Sequence, residues 1–413
     1  MPPARQTRED MPSVLPEGDP MPRSGELPAG TRSAVDRRGF GVYVHVPFCA
    51  SRCGYCDFNT YTVADGVSPD GYTEALVAEL ALARRVLDPA PARVDTVFVG
   101  GGTPTLLGSD ELGRILSAID QAWGLAPDAE VTTEANPESV HPASLRALRR
   151  AGYTRISLGM QSTAPHVLAL LERRHTPGRA RRATVEAREA GFEHVNLDLI
   201  YGTPGETADD FAGSLAAAVG AGVDHVSAYS LIVEEGTRLA ARMRRGEVAY
   251  PDDDVAADRY VVAEQALAGA GLSWYEVSNW AASAQARCRH NLLYWTGGDW
   301  WGLGPGAHSH VGGVRWWNVK HPKAYAARLA AGDSPGQARE LLTNEQRHTE
   351  EVMLRLRLAD GLLLDRLDEA GQAGARRAFD DGLLAADAYR AGSAVLTLRG
   401  RLLADAVVRD LLP

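Results

Sequence analysis

Six short apolar runs of strand character recur along this chain, and a stretch of helical periodicity separates each from the next. That alternation limits the folds open to it. The runs lie at 41–46 (GVYVHV), 95–99 (DTVFV), 130–134 (EVTTE), 154–160 (TRISLGM), 194–201 (HVNLDLIY) and 224–232 (DHVSAYSLI). In the intervening stretches Leu76, Leu80, Ala83 and Leu87 share one helical face, as do Phe211, Leu215 and Val219. Strands joined through helices lie parallel, because a parallel neighbour is reached only by a long crossover. No G-x-G-x-x-G turn follows the first run, which disfavours a dinucleotide-binding sheet. The expected fold class is therefore α/β: a partial (β/α)6 barrel with a small, mostly helical C-terminal domain.

The 413 residues divide into four expected regions. Residues 1–38 are rich in Pro, Gly, Arg and acidic residues without an apolar period, and read as a disordered leader, with Met11 and Met21 as alternative starts. Residues 39–272 form the barrel core and end in a helix at about 252–270. Residues 273–334 are dense in Trp, Tyr, His and Gly. Residues 335–413 return to helical periodicity and read as an accessory domain of winged-helix type. The formal net charge is −10, which gives no support to nucleic-acid binding. No run approaches the roughly 20 apolar residues of a membrane span, and the N-terminus lacks the apolar core of a signal peptide. The expected location is the cytoplasm.

Three of the four cysteines, Cys49, Cys53 and Cys56, fall within eight residues directly after the first strand, in the sequence PFCASRCGYCDFN. They are too close to staple distant segments as disulfides. A structural zinc site normally takes four protein ligands, so zinc would have to recruit His45 or Cys288. An iron–sulfur cluster takes thiolates readily, and three cysteines on a four-iron cluster leave one iron open.

A C-x3-C-x2-C loop after the first strand of a partial barrel resembles the radical S-adenosylmethionine (SAM) superfamily. Within it the chain resembles the oxygen-independent coproporphyrinogen III oxidase family and its close relatives, the haem chaperones, from about Val42 to the C-terminus. The resemblance implies a radical SAM barrel with a [4Fe-4S] cluster on Cys49, Cys53 and Cys56. It implies that SAM chelates the open iron and is cleaved by one electron to a 5′-deoxyadenosyl radical.

Functional residues of α/β barrels gather at the C-terminal ends of the strands, where this chain carries GGGTP (100–104), TTEANPE, GMQS and NLDLIYG. Asp198 stands within an apolar strand, where an unpaired carboxylate is costly, so a ligand-facing role is expected. By resemblance the SAM contacts are Tyr43, the main chain near Tyr55, Gly101, Gly102, Thr103, Glu134, Gln161, Arg173 and Asp198. The resemblance names no separate catalytic side chain. Further on, HNLLYW (290–295) resembles the H-N-x-x-Y-W motif of the haem chaperones, which implicates His290 in haem binding. Trp300 and Trp301 are expected in the core, Cys288 as a small buried residue, and GLGPGAHSH as a glycine-rich turn.

Three functions compete. One is a haem chaperone that binds haem and passes it to acceptor proteins such as respiratory cytochromes. Another is an oxygen-independent coproporphyrinogen III dehydrogenase, which decarboxylates two propionates to vinyls. The third is a related radical SAM enzyme on another substrate. The decarboxylases carry a further cysteine two places after the third; this chain has Phe58 there. That substitution and HNLLYW both favour the chaperone. The resemblance also implies an electron donor, and it allows for a homodimer and transient membrane association.

Overall fold

The computed structural model describes residues 17–31, 39–88, 93–173 and 176–412. Its strands, in chain order, are β1 (Asp19–Pro20), β2 (Phe40–Val46), β3 (Val94–Gly101), β4 (Leu125–Ala135), β5 (Arg155–Gln161), β6 (His194–Tyr201) and β7 (His225–Ser230). They continue with β8 (Ser273–Glu276), β9 (Asn279–Ala281), β10 (Asp299–Leu303), β11 (His308–Val311), β12 (Val314–Asn318) and β13 (Gly336–Leu341). The helices between them are α1 (Tyr72–Val86), α2 (Ser109–Trp123), α3 (Pro142–Ala151), α4 (Pro165–Leu170), α5 (Arg179–Glu189) and α6 (Ala208–Gly220). After β7 come α7 (Arg238–Arg244), α8 (Asp253–Gly269) and α9 (Arg289–Trp295).

Strands β2 to β7 lie side by side in sequence order and pair in parallel. All six runs read from the sequence are strands, and helices join them, so the chain has the expected α/β architecture of six βα units. Their central residues, Val42, Val97, Val131, Ile156, Leu197 and Val226, are buried. The helices cover them with the faces the periodicity marked: Leu76, Leu80, Ala83 and Leu87 are buried on the first, and Phe211 and Leu215 on α6. A sheet covered by helices on one side and closing around a site on the other has few exposed faces, which is why β2 and β5 are buried almost throughout.

Residues 273–334 are not a separate layer. They lengthen the sheet at both edges. The β8–β9 hairpin pairs antiparallel to β7, while β10 pairs in parallel with β2 and leads into the antiparallel β11–β12–β13. On β10 the two consecutive tryptophans face opposite sides, as strand geometry requires. Trp301 is buried, edge-on to Trp316 at 4.8 Å, as expected of a core residue. Trp300, also expected in the core, is instead half-buried and lines a cavity.

Part of the expected leader is ordered. Residues 17–31 lie along the sheet edge: β1 pairs antiparallel with β13, and Met21 and Leu27 are buried. An edge strand offers unpaired backbone groups, and Gly18 can reach them because a Cβ there would lie 2.7 Å from the Arg339 carbonyl oxygen. The rest of the leader, 1–16 and 32–38, lies outside the described residues.

The C-terminal region has its own core, around Val352, Leu356, Ala375, Val407 and Leu411. It is mostly helical, with one two-stranded ribbon, Leu362–Leu363 against Ser393–Ala394. Arg401 ties it to the barrel: its guanidinium sits 4.4 Å from the Trp274 ring centroid and 2.8 Å from Glu264. Among the described residues no helix is long and apolar enough to cross a membrane.

Candidate functional site

The cysteine loop leaves β2 at Val46 and returns through Tyr61. The Cys49 N–H donates to the Tyr61 carbonyl (2.9 Å) and the Tyr61 N–H to that of Pro47 (2.7 Å), closing the excursion at its base. Its far side is tied down by Gly54, whose N–H donates to Leu171 (3.1 Å) and whose carbonyl accepts from Leu239 (2.8 Å). The GGGTP loop after β3 is stitched beneath it, by Gly102 N–H to Val46 (2.7 Å) and Thr103 N–H to Phe48 (2.8 Å). The approach is so close that a Cβ at Gly102 would sit 2.5 Å from the Phe48 carbonyl oxygen and 3.0 Å from Cys49 Sγ. Glycine is required there by space.

Cys49, Cys53 and Cys56 are free, half-exposed thiols that line one cavity of about 580 Å³. Burial, with the neighbouring Cys56, pushes the Cys49 thiol up to about 11, and burial also raises Cys56. The thiolate is the form that binds a metal, so a metal that takes these sulfurs displaces the protons they carry. Among the described residues no three His, Cys, Asp or Glu side chains could hold a single metal ion. The two groups that zinc would have to recruit are engaged elsewhere. The His45 ring pairs with Tyr43 Oη (3.0 Å) and the Asn59 carbonyl (2.9 Å), and Cys288 is buried against Glu130 (3.5 Å).

Every residue expected to contact SAM lines this same cavity, with the exception of Tyr43. Glu134, at the end of β4, accepts the Gly101 N–H (3.0 Å); burial and then the nearby charge of Asp198 push its carboxyl up to about 8. Asp198 accepts hydrogen bonds from Ser157 Oγ (2.9 Å) and Asn196 Nδ2 (2.7 Å), which offset part of the upward pull of burial. Arg173 directs Nη1 to Cys53 Sγ (3.5 Å) and Nη2 to the Gly159 carbonyl (3.2 Å). Tyr55 lines the wall, and burial raises its phenol.

Gln161 enters the cavity because β5 slips register against β6 between Gly159 and Gln161, and its φ is +65°. Left-handed backbone at a residue with a side chain is strained. We therefore expect Gln161→Gly to be more stable than Gln161→Ala by about 1 kcal/mol, measured by urea denaturation. The reverse order would show that the backbone there is not left-handed.

Tyr43 and His290 lie apart from this cavity. Tyr43 faces a second one, of about 430 Å³, with His45, Tyr294, Trp300, His308 and Lys320. The two cavities adjoin and share Asp57, Phe58, Gly101 and Glu134. His290 lines neither. It is 1% exposed, stacked on Phe98 (5.4 Å), and both ring nitrogens are engaged, by Thr96 Oγ1 and Tyr294 Oη at 2.8 Å each. Burial pulls its imidazole down to about 3, so it is neutral.

Sequence reasoning missed the supports. Ser157 and Asn196 hold Asp198, and their signal is a polar residue at every second position of an otherwise apolar strand. Tyr229 and Ile232 line the first cavity from the end of β7, exposed by 42% and 68%. Glu130 gave no local signal: from β4 it accepts the N–H groups of Arg289 and His290 (3.0 Å each) at the start of α9, the HNLLYW helix.

The sequence profile of the Radical SAM superfamily matches residues 43–218. A Mycobacterium tuberculosis protein named heme chaperone HemW is 59% identical over 375 residues, 90% of this chain and 95% of that protein. The heme chaperone HemW of Bacillus subtilis is 33% identical, over 79% of this chain and 86% of its own length. Among solved structures, the coproporphyrinogen III oxidase HemN of Escherichia coli superposes with a TM-score of 0.78 at 23% identity, covering 92% of both chains. That likeness carries the fold. Identity and coverage together place the sequence: the chain belongs to the HemW family of radical SAM proteins.

Proposed function

We propose that the chain is a radical SAM haem chaperone, which holds a [4Fe-4S] cluster and SAM, binds haem, and passes it to acceptor proteins. The observation that carries the reading is the convergence of three free thiols, the glycine loop and two carboxylates on one cavity, in a chain 59% identical to a protein named heme chaperone HemW. The donor set fits: three soft ligands without a fourth suit a cluster with one open iron. Cys49, Cys53 and Cys56 hold the cluster. Arg173 donates to the Cys53 sulfur, and Gly101, Gly102, Thr103, Glu134, Gln161, Asp198 and the Tyr55 segment bind SAM. Tyr43 braces His45 behind the glycine loop. The cluster, when bound, supplies one-electron chemistry at SAM. Haem belongs to the adjoining cavity, whose wall includes Tyr294 of HNLLYW, with His290 beneath that wall.

Phe58 favours this reading over a coproporphyrinogen decarboxylase. It is 56% exposed and lines both cavities, where the decarboxylases carry a cysteine. The test is anaerobic: the reconstituted full chain is titrated with haem and mixed with the apo form of a respiratory cytochrome, and in parallel given SAM, a reductant and coproporphyrinogen III. Haem binding and transfer without vinyl products is the expected result. Absence of haem binding, or sustained turnover to protoporphyrinogen, overturns it.

The Glu134 carboxyl makes SAM binding pH-dependent. It is protonated in the free site below about pH 8, while a bound ammonium favours the carboxylate. Binding then releases a proton, so affinity rises with pH. The rise ends near pH 8, where an α-amino group itself deprotonates. Calorimetry across this range should show that trend in the wild type and a flatter one in Glu134→Gln; a wild-type affinity that falls with pH would remove Glu134 from the site.

A further inference from the structure

We infer that the second cavity seats a metalloporphyrin whose iron is ligated by the imidazole of His308. The inference rests on the haem-binding reading above and names the ligand within it.

The first ground is which imidazole is available. His45, His290 and His310 are buried: His45 and His290 have both ring nitrogens engaged, and the Nδ1 atom of His310 lies 2.8 Å from the Gly298 carbonyl. Turning His290 toward a ligand would break its bonds to Thr96 and Tyr294 and leave the buried Thr96 hydroxyl without that partner. His308 differs in each respect. It is exposed, it lines the cavity, and its ring makes no hydrogen bond among the described residues. Its ring is stacked with that of Trp317, centroids 5.8 Å apart and planes 27° apart. A neutral imidazole with a free nitrogen is a standard axial ligand for haem iron.

The second ground is that the backbone under His308 is built closely. His308 opens β11, and its carbonyl accepts the Trp300 indole N–H (3.0 Å). A Cβ at Gly302 would lie 2.1 Å from that carbonyl oxygen, so only glycine lets β10 approach it. Asn59 ties the opposite rim together, donating from Nδ2 to the Pro305 (3.0 Å) and Lys320 (2.9 Å) carbonyls. Asn59 stands three residues after Cys56, so the rim and the cysteine loop are held as one piece.

The third ground is the chemistry of the walls. Tyr43, Tyr294 and Trp300 present aromatic rings, with Tyr294 edge-on to Trp300 at 4.6 Å, and Phe58 adds an exposed apolar face. These suit the faces of a flat conjugated macrocycle. Lys320, one of only two lysines in the chain, lines the same cavity.

The test uses the full chain, titrated anaerobically with haemin and followed by the Soret band and low-temperature EPR. His308→Ala is expected to weaken binding by at least about tenfold and to lose the imidazole-ligated spectrum, and free imidazole is expected to restore that spectrum. Cluster content should be unchanged, because His308 is exposed and lies outside the cysteine cavity. His290→Gln, which keeps a donor and an acceptor for Thr96 and Tyr294, should retain the wild-type spectrum. If His308→Ala keeps the wild-type affinity and spectrum, the inference fails and the chaperone reading stands. If the wild type binds no haem, both fail.

Discussion

Replacing any one of Cys49, Cys53 or Cys56 by alanine is expected to abolish cluster assembly. After anaerobic reconstitution, iron should fall from about four atoms per chain to background, with loss of the cluster's visible absorption. The effect is all-or-none because the site has no reserve: among the described residues no other side chain of His, Cys, Asp or Glu completes a metal-holding group with the thiols. Folding should survive, since all three side chains are half-exposed at a cavity wall and surface changes of this kind usually stay within about 0.5 kcal/mol. Cys288→Ala is the control. Its thiol is 3% exposed and faces Glu130, so its loss should leave iron content untouched. Full iron content in a Cys53→Ala protein would sink the assignment.

Glu130→Ala should destabilise the fold by about 3–5 kcal/mol. Glu130 is 6% exposed and faces the guanidinium of Arg155, itself 1% exposed, at 3.8 Å. It also accepts the first two N–H groups of α9 and lies 3.5 Å from the Cys288 sulfur. Removing it leaves a buried cation uncompensated and orphans two backbone donors at the start of the HNLLYW helix. Urea denaturation gives the number. The double variant Glu130→Ala/Arg155→Met should recover a large part of the loss, because the uncompensated charge is then gone. A loss below about 1 kcal/mol for Glu130→Ala would show that water or a neighbour compensates Arg155.

Both experiments turn on how far apart the cooperating residues lie in the chain. The three thiols are legible in the sequence because eight residues cannot separate them by much, whatever the fold. Glu134, Gln161 and Asp198 are legible for a related reason. Each ends or interrupts an apolar strand run, and parallel strands joined by right-handed crossovers bring like ends together. Arg173 could be marked only by resemblance, since it lies beyond β5 on the segment that follows α4; its place beside Cys53 comes from the packing of that segment under the cysteine loop. Glu130 and α9 are about 160 residues apart, and nothing local marks the carboxylate as a partner of the helix.

The same contrast separates the two histidines. HNLLYW draws attention to His290 because a short motif is visible at sight, whereas a side chain's direction is not. Helix α9 packs on β3 through Thr96 and Phe98, which turns His290 inward and leaves Tyr294 at the cavity wall. His308, within what reads as a plain glycine-rich turn, is carried outward because β10 joins the sheet beside β2.

The α/β alternation, the three-thiol loop and the strand ends that carry polar residues follow from the chain's own order, since hydrophobic period and covalent adjacency are local properties. Packing in three dimensions was needed to lay residues 17–31 along the sheet, to turn Trp300 to a cavity while Trp301 is buried, and to leave His308 exposed at that cavity. Those outcomes depend on which distant strands pair and which face a helix is pressed against, and a contact across a hundred or more residues leaves no pattern in the chain on either side of it.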